Sequence, residues 1–203
     1  MKAKGGVMPK KISIKKAAQR FRARADGITG FLLTVGQGQS KEHVSWLYDY
    51  AIIRMYREFE QLMLDSIVGA INNDTSTLAD TTGFSFPKHL TTQVCVYLIL
   101  GKGYFDFKGR DDLVQTLKKY VPEDHYLVTI IKKEKYKAPL ERLSALRNYA
   151  AHGSDASKRT ALATVGQKKI SSCGSWLKCQ DRFERIKDGL NSLAFEIESA
   201  APY

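Results

Sequence analysis

Cysteine is scarce in this sequence, and the few present do not pair by spacing. Cys95, Cys173 and Cys179 are an odd number with no Cys-x-x-Cys arrangement. That argues against a disulfide scaffold or a structural zinc site and for a reducing compartment, with the thiols packed or free. Long apolar runs are missing too. No stretch approaches the ~18 residues of a membrane span. The first apolar run, Gly30–Val35, is too short and too late for a secretory leader, so a cytoplasmic protein is expected. There are four histidines. Of these His43, His89 and His125 stand isolated, without a ligand partner at metal-site spacing. Carboxylates suited to two-metal catalysis do not stand out either, because Asp111 and Asp112 read as the acidic first turn of a helix. The GKGYFDFKG stretch starting at Gly101 lacks P-loop spacing and reads as a turn. No cofactor and no metal are expected.

Acids are scarce at one end. The formal charge is +11 over 203 residues, and it is unevenly placed. Residues 1–40 hold nine bases (Lys2, Lys4, Lys10, Lys11, Lys15, Lys16, Arg20, Arg22, Arg24) against Asp26 alone, whereas the other 163 residues carry 23 bases and 20 acids. A basic arm on a near-neutral body points to a polyanionic partner, most often nucleic acid, held through the backbone phosphates. The competing reading is a solvated tail. The expected organisation is a basic, partly disordered arm over 1–40, with one short helix around Ile14–Arg24, and a helical domain over 41–203.

The domain reads as an all-α bundle. Ser40 is positioned as an N-cap, and a helical pattern runs from it to about Asn73. Trp46, Tyr50, Ile53, Leu64, Ile67 and Ile71 form one stripe at 100° per residue, and Arg57 and Glu60 fall inside it. At i, i+3 those two charges can pair, as a buried structural ion pair or as the wall of a polar site. Asn72–Lys88 reads as a loop. Thr91–Phe107 fits strand or helix. Asp111–Tyr120 and Glu123 to about Tyr136 look helical. Lys137–His152 is a further helix, with Pro139 in its first turn and Gly153 as its stop. A polar segment, Ser154–Lys169, leads to a last amphipathic helix near Ser175–Ser199.

The chemistry-bearing stretch is LRNYAAHG, Leu146–Gly153. Leu140, Leu143, Leu146 and Ala150 mark the core side of its helix. Arg147 lies in that sector, while Asn148 and His152 share the polar side with Glu141. On an ideal helix Arg147 and His152 are ~140° apart. One straight helix therefore does not aim both at a single phosphate. Either the helix loosens at Gly153, or a second copy of the chain completes the site. The residue types suit RNA cleavage by the neighbouring 2′-hydroxyl, which needs no metal and no protein nucleophile. Histidine can move a proton near neutral pH, and a guanidinium can clamp phosphate oxygens. Asn148 can orient one of them. Tyr149, between them, can stack on a base or simply pack.

LERLSALRNYAAHGS (Leu140–Ser154) resembles the signature helix of the HEPN superfamily, whose ribonucleases carry Arg-(polar)-x3-His, here Arg147, Asn148 and His152. YREFEQLMLDSI (Tyr56–Ile67) resembles that family's early helix, where an acid near the site is common; Glu60 fits the position better than Glu58. The resemblance implies an all-α bundle and a homodimer whose two signature helices form a composite site. It further implies a metal-independent endoribonuclease leaving 2′,3′-cyclic phosphate and 5′-hydroxyl ends, as a toxin or abortive-infection effector in prokaryotic defence, with an antitoxin or regulatory protein as a possible partner. Arg147 would bind the scissile phosphate, His152 would act as general acid or base, Asn148 would orient one of them, and Glu60, Arg57 and Tyr149 would support the site. Lys10, Lys11, Lys15, Lys16, Arg20, Arg22 and Arg24 would hold RNA. HEPN toxins usually continue His-x-Tyr, with the tyrosine a target of modification; Ser154 stands there in this chain. Two alternatives remain: a non-catalytic RNA-binding or assembly module of the same fold, and, less well matched, a DNA nuclease.

Overall fold

The 33-residue helix that Ser40 starts is the axis of the molecule. In the computed structural model, which describes residues 11–202, this helix (α2, Lys41–Asn73) begins where the sequence predicts, with the Ser40 hydroxyl accepting the His43 N–H at 3.1 Å. At 1.5 Å per residue it is about 50 Å long. Its neighbours are α1 (Ile14–Val35), α4 (Thr92–Leu100), α7 (Lys137–His152), α9 (Cys173–Leu177) and α10 (Arg182–Ala200). Helices α3 (Ser76–Thr82), α5 (Arg110–Leu117), α6 (Tyr126–Ile131) and α8 (Asp155–Val165) complete the set, and there is no strand among the described residues. The chain is an all-α bundle. None of these helices is long and apolar enough to cross a membrane.

The basic N-terminal segment is not a free arm over residues 14–35. Ile14, Ala17, Ala18, Phe21, Ala25, Ile28 and Leu32 recur at helical spacing and are all buried, because α1 packs between α2 and α10. Phe21 meets Phe59 edge-to-face at 5.7 Å. Burying a side chain of this size is worth about 1.5–3 kcal/mol, enough for a few such contacts to hold the helix in place. The basic residues occupy its outer face. Three of them are latched to other helices: Arg20 to Asp65 at 2.6 Å, Arg22 to Glu198 at 2.7 Å and Arg24 to Glu58 at 2.6 Å. Lys11, Lys15 and Lys16 are exposed, and Lys10 lies outside the described residues.

Elsewhere the segments divide more finely than the pattern implies. Thr91–Phe107 resolves into helix α4 and a loop, with the Thr91 hydroxyl capping Val94 N–H at 3.3 Å. The Asn72–Lys88 loop contains α3, and the polar Ser154–Lys169 segment contains α8. Helix α8 is capped by the Ser154 hydroxyl on Ser157 N–H and stopped by left-handed Gly166. Its composition hides it, since Ala161 is its one buried residue. The expected last helix is broken at Gln180 and Asp181, both at positive φ. There Arg182 folds back over the Trp176 ring and donates to the Trp176 carbonyl at 3.1 Å.

Candidate active site

Helix α7 runs unbroken from Lys137 to His152 and ends at Gly153, whose φ of 59° suits the residue without a Cβ. Leu140, Leu143 and Leu146 are fully buried against the bundle. Tyr149 belongs with them: it is 8 % exposed, burial raises its hydroxyl pKa, and it packs near Cys173 and Asp49 rather than facing a ligand. The helix also packs against α8 and α10, and its polar side, with Glu141 and Asn148, lines an open cleft shared with α8 and the start of α5.

Arg147 takes the α2 side. Its guanidinium carbon lies 4.4 Å from the centre of the Tyr56 ring, a cation–π contact, and its Nη1 donates to Asn148 Oδ1 at 2.7 Å. Tyr56 is itself fixed. Its hydroxyl donates to Asp106 Oδ1 at 2.5 Å and accepts the Phe107 N–H at 3.2 Å, and its ring stacks on Phe107 at 4.9 Å. Ser144 Oγ of α7 donates to the Phe107 carbonyl at 3.2 Å, tying the same loop to the motif helix. Glu60 follows Tyr56 by one turn. Burial lifts its carboxyl pKa to about 7, with Asp106 pushing the same way, while Arg147, the Tyr56 hydroxyl and Arg57 pull it back. Glu60 and Arg57 line an open cleft of about 230 Å³ with Leu64, Leu100 and Tyr104.

One chain thus brings Arg147 beside both Asn148 and Glu60, which line different clefts, with Tyr56 and Asp106 as supports that no sequence motif marks. Tyr56 sits one turn before Glu60, and Asp106 lies in a stretch read only as a turn, so neither carried a motif signal. The Arg57–Glu60 ion pair is not formed; the buried carboxylate that does pair is Glu58, held by Arg24 and Arg54. His152 is not part of the cluster. It is exposed at the last position of α7, and no hydrogen bond or ion pair ties it to another described residue. Five residues of regular helix separate it from Arg147 by about 7.5 Å of rise and ~140° of rotation. The helix stays regular up to Gly153, so within one chain Arg147 and His152 do not meet. Among the described residues no group of three His, Cys, Asp or Glu side chains is placed to hold a metal ion.

The raised Glu60 carboxyl has a measurable consequence. A folded-state pKa above the unfolded value favours the protonated form, so this group's contribution to stability is fully present below about pH 4.5. It is lost as pH rises towards 7. Glu60→Gln keeps the shape without the ionisation. It should therefore raise stability at pH 8 by about 1 kcal/mol, a value reduced for the group's partial exposure, and leave it nearly unchanged at pH 4.5. Urea titrations of both proteins at the two pH values measure this; an equal effect at both would show that Glu60 titrates normally. Comparison of the chain with protein-family models, with curated proteins and with solved structures found no match in any of the three.

Proposed function

We propose that this chain is a metal-independent endoribonuclease of the HEPN type, acting as a homodimer. The observation that carries the reading is the Arg147 guanidinium, held over Tyr56 beside a carboxyl poised near neutrality, with His152 unengaged at the end of the same helix. In the reaction the 2′-oxygen bonds to phosphorus as the bond to the 5′-oxygen breaks. A base removes the 2′ proton and an acid supplies one to the leaving oxygen, which yields a 2′,3′-cyclic phosphate and a 5′-hydroxyl. Arg147 would stabilise the charge on the non-bridging oxygens, and Asn148 orients it. His152 would act as acid or base from the other copy, since the two diverge within one chain. Lys11, Lys15 and Lys16 would contact the RNA backbone, with affinity that falls as salt rises. The role as a toxin or defence effector, and any antitoxin, rest on the resemblance alone.

The same divergence of Arg147 and His152 favours the second reading, a non-catalytic RNA-binding or assembly module, if the chain works alone. The two are separated by incubating purified protein with total RNA in EDTA and mapping product ends. Cleavage leaving cyclic phosphates, lost in His152→Ala, is the expected result. Intact RNA with both proteins, each still binding it, would leave only the module.

A further inference from the structure

Helix α1 contains two interior glycines from which its packing gains nothing. Gly27 and Gly30 lie well inside Ile14–Val35, and a Cβ on either would meet nothing within 4 Å. Each costs the helix roughly 1 kcal/mol relative to alanine. At Gly27 the missing side chain leaves an open groove of about 520 Å³ between α1 and α2, within the size range of small-ligand sites. Gly27 and Ile28 line it, with Phe31 and Tyr50 towards one end and Arg24 and Arg54 towards the other.

The two ends differ in chemistry. Phe31 and Tyr50 form an aromatic corner, ring centroids 5.8 Å apart and tilted by 59°, and are 38 % and 54 % exposed. Arg24 and Arg54 each place one nitrogen 2.6 Å from the same carboxylate, Glu58, whose side chain is 4 % exposed. Two guanidiniums on one carboxylate leave an excess positive charge, and both retain unused donors on a half-exposed face. By helix rise, Tyr50 to Arg54 spans about 6 Å and Arg24 to Phe31 about 10 Å, comparable to the reach from a base across its ribose to the phosphate. An apolar helix laid here would bury those donors without acceptors, at a cost. An acidic peptide would satisfy them and leave the aromatic corner wet.

From this we infer that the α1–α2 groove binds an unpaired nucleotide of a single strand, its base on the Phe31–Tyr50 corner and its phosphate on Arg24 and Arg54. Stacking tolerates any base, because every base has a π-face. Trp46, one turn before Tyr50 and 58 % exposed, extends the aromatic surface. Tyr50 and Glu60 are about 15 Å apart along α2 and about 80° apart around it, so a strand leaving the groove would have to cross the face of α2 to reach the cleft that Glu60 lines. That last step rests on the ribonuclease reading; the nucleotide site does not.

The test is anisotropy of a fluorescein-labelled hexa-adenylate RNA, with every protein carrying His152→Ala so that nothing is cut. Gly27→Leu fills the groove with a better helix former. It should weaken binding about tenfold while keeping or raising the melting temperature, and Tyr50→Ala should weaken it by a similar factor. Arg54→Gln should lower the slope of log affinity against log salt by about 0.7. Failure of the parent to bind hexa-adenylate, or equal affinity in Gly27→Leu, overturns the assignment. So does a Gly27→Leu protein that binds RNA normally but self-associates less, since the groove would then be a protein contact. Wild-type protein that fails to cleave RNA, with the binding losses intact, would sink the ribonuclease reading and leave the groove assigned.

Discussion

Arg147→Ala and His152→Ala should each lower RNA cleavage at least about a hundredfold, and mixing the two inactive proteins should restore up to about a quarter of the wild-type rate. The single losses follow from the chemistry: a preorganised cation on a developing phosphorane is worth about a hundredfold or more, and a positioned proton donor or acceptor as much. The recovery follows from the geometry. Within one chain Arg147 faces Tyr56 and α2, while His152 is exposed at the end of a regular helix. If each site takes its arginine from one copy and its histidine from the other, a mixed dimer has one site with both residues intact and one with both missing. Random exchange makes half of the dimers mixed, which gives about one quarter of the sites. If both residues came from the same chain, every site in the mixture would lack one of them and no activity would return. Initial rates after co-refolding the two variants, across a range of mixing ratios, decide between the arrangements. His152→Ala should barely shift the melting temperature, since the exposed His152 side chain makes no hydrogen bond, ion pair or ring contact with another described residue. Arg147→Ala should cost somewhat more, since it removes the contact with Tyr56.

The parts of this fold that were legible in the sequence are those where one local signal dominates. Ser40 announces the start of α2 and Gly153 the end of α7, because a side-chain cap and a left-handed stop are properties of single residues. Where composition and environment disagree, the pattern misleads. Nine bases in the first forty residues read as an arm, yet the intervening Ile14, Phe21, Ile28 and Leu32 hold α1 in the core, and three of the arginines are consumed as latches. Trp46 and Tyr50 sit at core spacing with Ile67 and Ile71, but at that end of α2 the covered face is the one carrying Ser45 and Asp49, against α9, and both aromatics are exposed. The site shows the same division. Arg147, Asn148 and Glu60 are visible by type and spacing, and Arg147 does lie beside both of the others. Tyr56 and Asp106 were not visible, because their pairing joins residues fifty apart and only the folded loop at Phe107 brings them into contact.

Among the glycines of the described residues, Gly174→Ala should be the most damaging alanine substitution, lowering stability by about 3–4 kcal/mol and the melting temperature by about 10 °C. A Cβ on Gly174 would stand 1.8 Å from the Ser45 carbonyl oxygen and 2.7 Å from its carbon. These are backbone atoms in the second turn of α2, so no rotamer change relieves the clash and the two helices must separate. What holds them close is polar and specific. Gly174 N–H donates to Asp49 Oδ1 at 2.6 Å, Lys178 Nζ reaches Ser45 Oγ at 2.8 Å, and Ser172 and Ser175 cap α9 reciprocally. Separation by the ångström or more that a methyl requires breaks the first two while leaving Asp49 half-buried. The disturbance also reaches the motif helix, because Cys173 Sγ donates to the Leu146 carbonyl at 3.3 Å, one residue before Arg147. Gly27→Ala is the matched control: the same change, also within a helix, but into open space. It should raise stability by roughly 0.5–1 kcal/mol. Opposite signs from one chemical substitution would show that the close crossing of α9 over α2, and not glycine's effect on helices, sets the cost. A Gly174→Ala protein that melts like the wild type would mean the crossing is looser than 1.8 Å implies, and a destabilised Gly27→Ala would mean that the space beside Gly27 is not open.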